Sequence, residues 1–349
     1  MRLTLLLLIS LTVFSCQKES FDTGTDTDNF FFLRNDGADM PVWVQGNTAS
    51  KTFVLLLHGG PGGSAFLIDE FFLEFTDPLE ASYGVVYWEQ RSSGSSQGNF
   101  DLETLTPEKY VEDLEKLIIL LKNKYGTDIN VFLTGISWGG YLGSAYLSKI
   151  NNQDEVKAWI SIVGTNSFSK IANLGKQKLL FYANQQIAIG KNVSDWTEIR
   201  DWAEQQDTIL SKEDFVEENS FAAKAEVLME DSLNNSIEMA SLGQQLSFVF
   251  SSPFSSNAWL SNRKGIQESN LLDIVLKQDV SVDEIMVPSL FIGGEFDFIV
   301  PKEVVMDQYN AVQTAEKELH ILPNSGHNII GQEVEKLSRI LSDFIEKYK

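Results

Sequence analysis

Six short, mainly apolar runs most constrain what this 349-residue chain can fold into. Such runs are typical of strands that are buried on both faces of a parallel sheet. Stretches with helical spacing of apolar residues separate several of them, and this alternation predicts an α/β fold with a mostly parallel central sheet flanked by helices. The runs are 52–57, 83–88, 129–133, 158–163, 289–292 and 318–322.

The alternation is interrupted in the middle of the chain. From about Phe168 to Asp283 the pattern is mainly helical, and the strand pattern then returns, which predicts a helical insertion between two sheet strands. The predicted divisions are a signal peptide of lipoprotein type (1–15), a flexible polar tether (16–29), the first part of the sheet domain (30–167), the helical insertion (168–285) and the second part of the sheet domain (286–349).

The N-terminus has the features of an export signal. Arg2 gives a positive start, the apolar run 3–14 is too short to span a bilayer, and Cys16 follows the small Ser15. Residues 13–16 resemble a bacterial lipobox, which predicts lipidation of Cys16 and an exported protein anchored to a bacterial membrane, on its periplasmic or cell-surface side. The alternative is a plain secretory signal that ends near Ser15. A lone cysteine also predicts no intrachain disulfide.

The net charge of −22, with a pI near 4.5, limits the classes of molecule that this chain is expected to bind. Nucleic-acid binding needs a basic face, so we expect no nucleic-acid partner. Electrostatic attraction to anionic lipid is disfavoured for the same reason, and membrane contact is expected only through the lipid anchor.

The stretch Gly135–Gly140 has the sequence Gly-Ile-Ser-Trp-Gly-Gly and lies between a predicted strand and a predicted helix. A serine between two glycines at such a junction is the signature of a nucleophile elbow, in which a sharp turn exposes the hydroxyl. Side chains at the flanking glycines would collide with the neighbouring strand and helix. Ser137 is therefore the candidate nucleophile.

A serine nucleophile needs a base, and the base needs a carboxylate to orient it. After this kind of turn the chain order is acid, then histidine. Of the three histidines, His58 precedes the serine and His320 lies inside the last strand, whereas His327 follows that strand in a loop. Asp297, in the loop after the preceding strand, is the favoured acid, and Glu295 is its competitor.

An acyl-transfer site also needs two backbone N–H groups to hold the oxyanion. Trp138, directly after the nucleophile, is expected to supply one of them. Gly60, in the glycine-rich loop His58–Gly63 after a buried strand, is expected to supply the other.

These motifs together resemble the prolyl aminopeptidase (proline iminopeptidase) family of serine peptidases, which have the α/β-hydrolase fold. The resemblance covers about residues 40–165 and 286–330, and Glu89 and Ser92 depart from the family's usual Asp and Gly. The matching segments are His58–Gly63, Gly135–Gly140, Glu89–Ser96 and Val111–Leu117.

The resemblance implies that the helical insertion forms a cap over the site and that acidic cap residues hold the free α-amine of a peptide. It implies no metal and no organic cofactor. The sequence does not select among the available cap glutamates, which are Glu204, Glu217, Glu218 and Glu226.

The expected function is that of a serine hydrolase. The favoured activity is that of an aminopeptidase, which releases an N-terminal residue, often proline, from short peptides. One alternative keeps the same residues but takes a carboxylic ester or a small amide, because one fold and one triad serve many substrates. A second alternative is a non-catalytic lipoprotein that binds a ligand. Nothing in the sequence indicates the oligomeric state.

Overall fold

The computed structural model describes residues 29–209, 211–229, 233 and 254–349. The predicted signal peptide, Cys16 and the predicted tether up to residue 28 lie outside these residues, so those three predictions stay predictions.

The strands form one sheet of order β1-β2-β4-β3-β6-β7-β8-β9, with the short β5 paired to β2. From β4 to β9 in this order, neighbouring strands are parallel. Strand β2 is antiparallel to each of its three partners, β1, β4 and β5. The predicted mostly parallel sheet is confirmed. In chain order the strands β1–β9 are Phe30–Asn35, Ala38–Gly46, Thr52–Leu57, Gly84–Trp88, Gln97–Gly98, Asn130–Ile136, Ala158–Ile162, Ser289–Gly294 and Lys317–Leu322.

Helices connect the parallel strands and cover the sheet. In the third of them, the Thr106 hydroxyl accepts from the N–H of Lys109, and a proline occupies the first helical position. In chain order the α-helices α1–α12 are Ala65–Phe71, Leu73–Ser82, Pro107–Tyr125, Trp138–Leu147, Ile150–Gln153, Phe168–Ala188, Val193–Gln205, Lys212–Leu228, Ser256–Glu268, Leu271–Val275, Lys302–Ala311 and Val334–Tyr348.

The core lies on both faces of the sheet because successive strand side chains point in opposite directions. In β3, Leu55 and Leu57 join the cluster that includes α3, α4 and α6, while Val54 and Leu56 join the cluster that includes α1, α2 and α12. Every residue of β3 is buried. Both faces of the central strands are therefore apolar, which explains their uninterrupted runs in the sequence.

The helices α6–α10 lie between β7 and β8 in the chain, and we call them the insertion helices. Among them, α6 packs against both α7 and α8. In the described parts of the chain, no helix is long and apolar enough to cross a membrane.

The parallel sheet decides where the chemistry-bearing loops meet. The loops that follow β3, β6, β8 and β9 all leave the carboxyl edge of the sheet, where ligands bind in open α/β folds. His58, Ser137, Asp297 and His327 lie in these four loops. Residues more than 200 positions apart in the sequence are thereby gathered at one edge.

Candidate active site

Ser137 lies at the sharp turn between β6 and α4, with φ 55° and ψ −114°, a conformation that residues other than glycine rarely adopt. Its N–H donates to the carbonyl oxygen of Ile162 at 3.1 Å, which ties the turn to β7. A Cβ on Gly139 would lie 2.0 Å from the carbonyl oxygen of Leu57, and one on Gly135 would lie 2.3 Å from that of Gly139. The flanking glycines are therefore required by close backbone approach, as the sequence predicts.

The structure brings Ser137, His327 and Asp297 into one hydrogen-bonded chain. The Nε2 atom of His327 lies 3.0 Å from the Oγ atom of Ser137, and its Nδ1 atom lies 2.9 Å from Oδ2 of Asp297. The other oxygen of Asp297 accepts from the N–H groups of Ile299 and Val300, at 2.9 and 2.7 Å. The carboxylate is fully buried and fixed in direction.

The surroundings of His327 suit it to act as a base. Burial by itself lowers the pKa of the imidazole, but the charge of Asp297 and its hydrogen bond outweigh that effect and raise the pKa above its ordinary value of 6.5. Since Asp297 can only accept when ionised, Nδ1 carries the proton and Nε2 accepts from the Ser137 hydroxyl. This is the tautomer that a general base requires.

The sequence competitors lie elsewhere. Glu295 is ion-paired with Lys302, away from the imidazole. His320 is partly exposed in β9, where its Nε2 lies 3.7 Å from a carboxylate oxygen of Glu318. His58 is buried with its pKa lowered to about 4 by burial, and its Nδ1 bonds the carbonyl oxygen of Gly59 at 2.8 Å.

The glycine-rich loop after β3 lies against the serine. A Cβ on Gly59 would come within 3.4 Å of the Ser137 Cβ, and both Gly59 and Gly60 line the cavity in front of the serine. Trp138 begins α4, and its buried indole donates to the side-chain oxygen of Gln90 at 2.8 Å. The two residues predicted to hold the oxyanion therefore flank Ser137, one in the loop and one in the helix.

The two departures from the family motif have local explanations. Glu89 is buried, and its Oε1 accepts from the Ser64 hydroxyl and from the N–H of Phe66 at the start of α1. A Cβ on Gly94 would overlap its other oxygen, so the glycine makes room for the longer side chain. Ser92 has a left-handed φ of 50°, and its hydroxyl donates to the carbonyl oxygen of Asn262 in α9.

Among the four cap glutamates, the structure brings Glu226 of α8 to the cavity wall. Its carboxylate accepts from the N–H of His327 at 3.0 Å and from that of Phe298 at 3.2 Å, so it bridges the loops that carry the candidate base and acid. Burial and the charge of Asp297 raise the pKa of Glu226 to about 7.

A second glutamate of α8, Glu218, is fully buried, and neither of its carboxyl oxygens has a hydrogen-bond partner among the described residues. Burial, followed by the charge of Asp297, raises its pKa well above the ordinary value. The sequence analysis names Glu218 and Glu226 among four candidates without selecting either, although one signal that Glu218 is buried was present. Phe215, Glu218, Ala222 and Ala225 recur at the spacing of a buried helix face, which places a glutamate in an apolar stripe.

The cavity in front of Ser137 has a volume of about 540 Å³ and an opening to solvent. Most of its wall is apolar, and His327, Glu226, Asn328 and Gln332 add polar atoms. No group of side chains suited to a metal ion occurs in the described ranges. The arrangement can activate a hydroxyl and receive a small, partly apolar molecule.

Comparison with known proteins connects this geometry to a family. The family model described as the alpha/beta hydrolase fold matches residues 52–334. A proline iminopeptidase of Xanthomonas citri is 39% identical over 102 residues, which are 29% of this chain and 29% of that protein. That match spans less than a third of the relative's own length.

A longer alignment exists with a proline iminopeptidase of Heyndrickxia coagulans, which is 25% identical over 297 residues, or 84% of this chain and 90% of that protein. Among solved structures, the proline iminopeptidase of Mycobacterium smegmatis superposes with a TM-score of 0.55 at 15% identity, covering 91% of this chain and 98% of that one. At such identity the structural likeness establishes the fold alone.

Proposed function

Because the chain belongs to the alpha/beta hydrolase fold family, we propose that it is a serine hydrolase that works through a covalent acyl-enzyme. The observation that carries the proposal is the continuous chain of hydrogen bonds from Asp297 through His327 to Ser137. The hydroxyl at its end opens into a cavity of about 540 Å³.

In the first half of the reaction, His327 takes the proton from Ser137 while the serine oxygen forms a bond to the substrate carbonyl carbon. The N–H groups of Gly60 and Trp138 bind the oxygen that becomes negative, and Asp297 stabilises the imidazolium. His327 then gives its proton to the leaving group as the old bond breaks. In the second half, a water molecule gives a proton to His327 while its oxygen bonds to the acyl carbon. The bond between that carbon and the serine oxygen then breaks, His327 returns the proton to Ser137, and the carboxylic acid leaves.

We further propose that the substrates are short peptides with a free α-amine, so that the enzyme is an aminopeptidase that often releases proline. The carboxylate of Glu226 lies on the cavity wall, which Ser137 and His327 also line, and it accepts a hydrogen bond from the backbone N–H of His327. Its Oε2 accepts one hydrogen bond, from the N–H of His327 at 3.1 Å, and a carboxylate oxygen can accept two. An ammonium group at that position would be both hydrogen-bonded and neutralised.

One observation favours the second candidate, a carboxylic-ester or small-amide hydrolase. Glu226 already accepts from the N–H groups of His327 and Phe298, and its raised pKa of about 7 leaves part of the population uncharged at neutral pH. A glutamate that acts only as a bridge between the two loops would give no preference for an amine.

The deciding experiment measures hydrolysis of proline and alanine p-nitroanilides, their N-acetylated forms, and p-nitrophenyl acetate and butyrate, using the full chain in detergent. An aminopeptidase cleaves the free-amine anilides and loses that activity on acetylation. Cleavage of the esters alone supports the second candidate. A Ser137→Ala variant that keeps its turnover, or a serine that does not react with a fluorophosphonate, would contradict the serine mechanism and favour a non-catalytic binding protein.

Two variants on one helix test the role of Glu226. We expect Glu226→Gln to raise KM for free-amine anilides by roughly tenfold or more, because a charge-assisted hydrogen bond contributes about 1.5–3 kcal/mol, and to leave ester hydrolysis much less affected. Glu217→Gln is the matched control, since Glu217 is exposed on the same helix. Equal losses on anilides and esters would instead assign Glu226 a bridging role only.

We also propose that the protein is exported and held on a bacterial membrane through lipid on Cys16. The support is the short apolar run followed by a small residue and the chain's single cysteine. Growth with a palmitate analogue should label the wild-type protein and not Cys16→Ala. Equal labelling of the two would leave only the plain secretory signal.

A further inference from the structure

One lysine of the insertion reaches the loop that carries the candidate acid. Lys178, on α6, donates from Nζ to the carbonyl oxygen of Glu295 at 2.7 Å and to that of Asp297 at 2.9 Å. The same ammonium lies 5.3 Å from the centre of the Phe298 ring. A single cation on an insertion helix therefore contacts three residues of the turn after β8.

The turn has other contacts on both sides of the acid. Before it, the N–H groups of Glu295 and Phe296 donate to the carbonyl oxygens of Leu322 and Ser325 at 3.0 and 2.9 Å. The Asp297 carboxylate accepts from the N–H groups of Ile299 and Val300, and the N–H of Phe298 donates to Glu226. These bonds orient the turn beyond the acid, whereas the carbonyl groups at and before the acid are bound by Lys178. Removal of the ammonium would take away this donor to the carbonyl groups of Glu295 and Asp297, and the first half of the turn would then be tied to its surroundings mainly through N–H groups.

Charge gives the lysine a second effect. Asp297 faces two buried or partly buried carboxyl groups of α8, Glu218 and Glu226, and burial together with the charge of Asp297 raises the pKa of both. The Lys178 ammonium attracts Asp297, although burial lowers its own pKa. The charged groups that face Lys178 are Asp297, Glu303, Lys302 and Glu295.

We propose that Lys178 is a positioning residue for the proposed serine hydrolysis: it acts through Asp297 by holding the acid turn so that the carboxylate meets Nδ1 of His327. The inference rests on the proposed function. It adds that an insertion helix, α6, helps to position the turn that carries the acid. Lys178 is absent from the wall of the reaction cavity, so it does not touch the substrate.

The test is a double-mutant cycle read out by the rate at which a fluorophosphonate labels Ser137, which needs no knowledge of the natural substrate. Lys178→Met should slow labelling by roughly 10- to 100-fold, since small misplacements of catalytic groups have effects of that size. Lys178→Arg should restore most of the rate. In an Asp297→Asn background, Lys178→Met should change the rate less than twofold, because its effect passes through the acid.

Lys176→Met is the matched control. Lys176 lies on the same helix and also donates to two backbone carbonyl groups, those of Gln206 and Asp207, but these lie in the connection between α7 and α8. We expect this variant to label at the wild-type rate. Urea unfolding of all variants separates lost stability from lost positioning, and Lys178→Gln replaces the methionine variant if the latter does not fold.

Two results would overturn the inference: labelling of Lys178→Met at the wild-type rate, or an equal slowing in the wild-type and Asp297→Asn backgrounds, which indicates a structural role. Its failure is distinguishable from failure of the proposed function. If Ser137→Ala is labelled as fast as the wild type, the serine mechanism itself is wrong. If labelling depends on Ser137 but not on Lys178, only this inference is wrong.

Discussion

At the scale of single residues, the site combines a strained backbone with a buried charge. Ser137 adopts a φ of 55°, which costs free energy of order 1–3 kcal/mol in a residue with a side chain. Asp297 is buried without exposed surface, and its negative charge is compensated by the N–H groups of Ile299 and Val300. Both features lower stability locally and orient the reacting atoms.

The raised pKa of His327 predicts the position of the acid limb in the pH profile. The base must be neutral to take the serine proton, so kcat/KM should rise with pH and reach half its maximum above pH 6.5. The charges of Asp297 and Glu226 cause this shift, against the opposite effect of burial. Ester hydrolysis between pH 5 and 9 measures it.

Glu226→Gln provides the internal comparison for this prediction. Removal of its charge should move the half-maximum towards lower pH, because Glu226 contributes to the raised pKa of His327. A wild-type half-maximum below pH 6.5 would contradict the raised pKa of His327.

At the scale of elements, the turn between β6 and α4 depends on how closely the helix approaches the sheet. Gly139 faces the Leu57 carbonyl of β3, and Gly143 faces the Trp159 indole of β7. The helix therefore packs, through positions without side chains, on the two strands that lie on either side of β6. This contact sets the direction in which Ser137 points.

Gly139→Ala tests this packing. The added methyl would overlap the Leu57 carbonyl oxygen at 2.0 Å, so we expect a loss of unfolding free energy of roughly 2–3 kcal/mol and a large loss of activity. Gly190→Ala is the comparison, since Gly190 has open space around it and only its left-handed φ of 75° is unfavourable, which costs about 1 kcal/mol. Urea denaturation should order the variants in this way, and equal losses would show that close packing is not the cause.

Elements were predictable where the periodicity was strong. The run 52–57 is β3, and the run 158–163 is β7 to within one residue. The hairpin of β1 and β2 was missed because the apolar run of β1 is only four residues long and β2 contains Asp39 and Pro41. A signal was nevertheless present in Asp36-Gly37, whose positive φ angles of 42° and 77° are those of a two-residue hairpin turn.

At the scale of the whole molecule, acidity and burial act together on stability. The chain carries a net charge of −22, and several carboxyl groups are nevertheless inside the fold. Burial raises the pKa of Asp69 and of Glu89 to about 7, with the charge of Glu80 adding to the shift at Asp69. Their ionisation opposes the folded state.

These shifts predict that stability falls as pH rises. A carboxyl group with a raised folded-state pKa contributes fully below its unfolded pKa of about 4 and loses that contribution as pH rises through the folded value near 7. Between pH 6.5 and 8 the unfolding free energy should drop by roughly 1–2 kcal/mol. Repulsion within the acidic chain acts in the same direction.

Urea unfolding at pH 6.5, 7.2 and 8 measures this dependence. Asp69→Asn should flatten it, because the amide keeps an acceptor for the Gln45 side chain and cannot ionise. Constant or rising stability over this range would show that Asp69 and Glu89 are not protonated in the folded protein.

The sequence by itself determined the alternation that makes a parallel sheet, the elbow around Ser137 and the chain order of nucleophile, acid and histidine. Each of these depends on local spacing or on backbone requirements of glycine, which are written in neighbouring residues. Only the tertiary structure placed Asp297, and not Glu295, against His327, because both acids lie in one short loop.

The tertiary structure also decided which residues of the insertion serve the site. No feature of the local sequence distinguishes Glu226 and Lys178 from the other glutamates and lysines of their helices. Their roles arise from contacts with loops that lie more than 70 positions further along the chain. A charged side chain is solvated or buried according to what packs over it, and that is a property of the assembled fold.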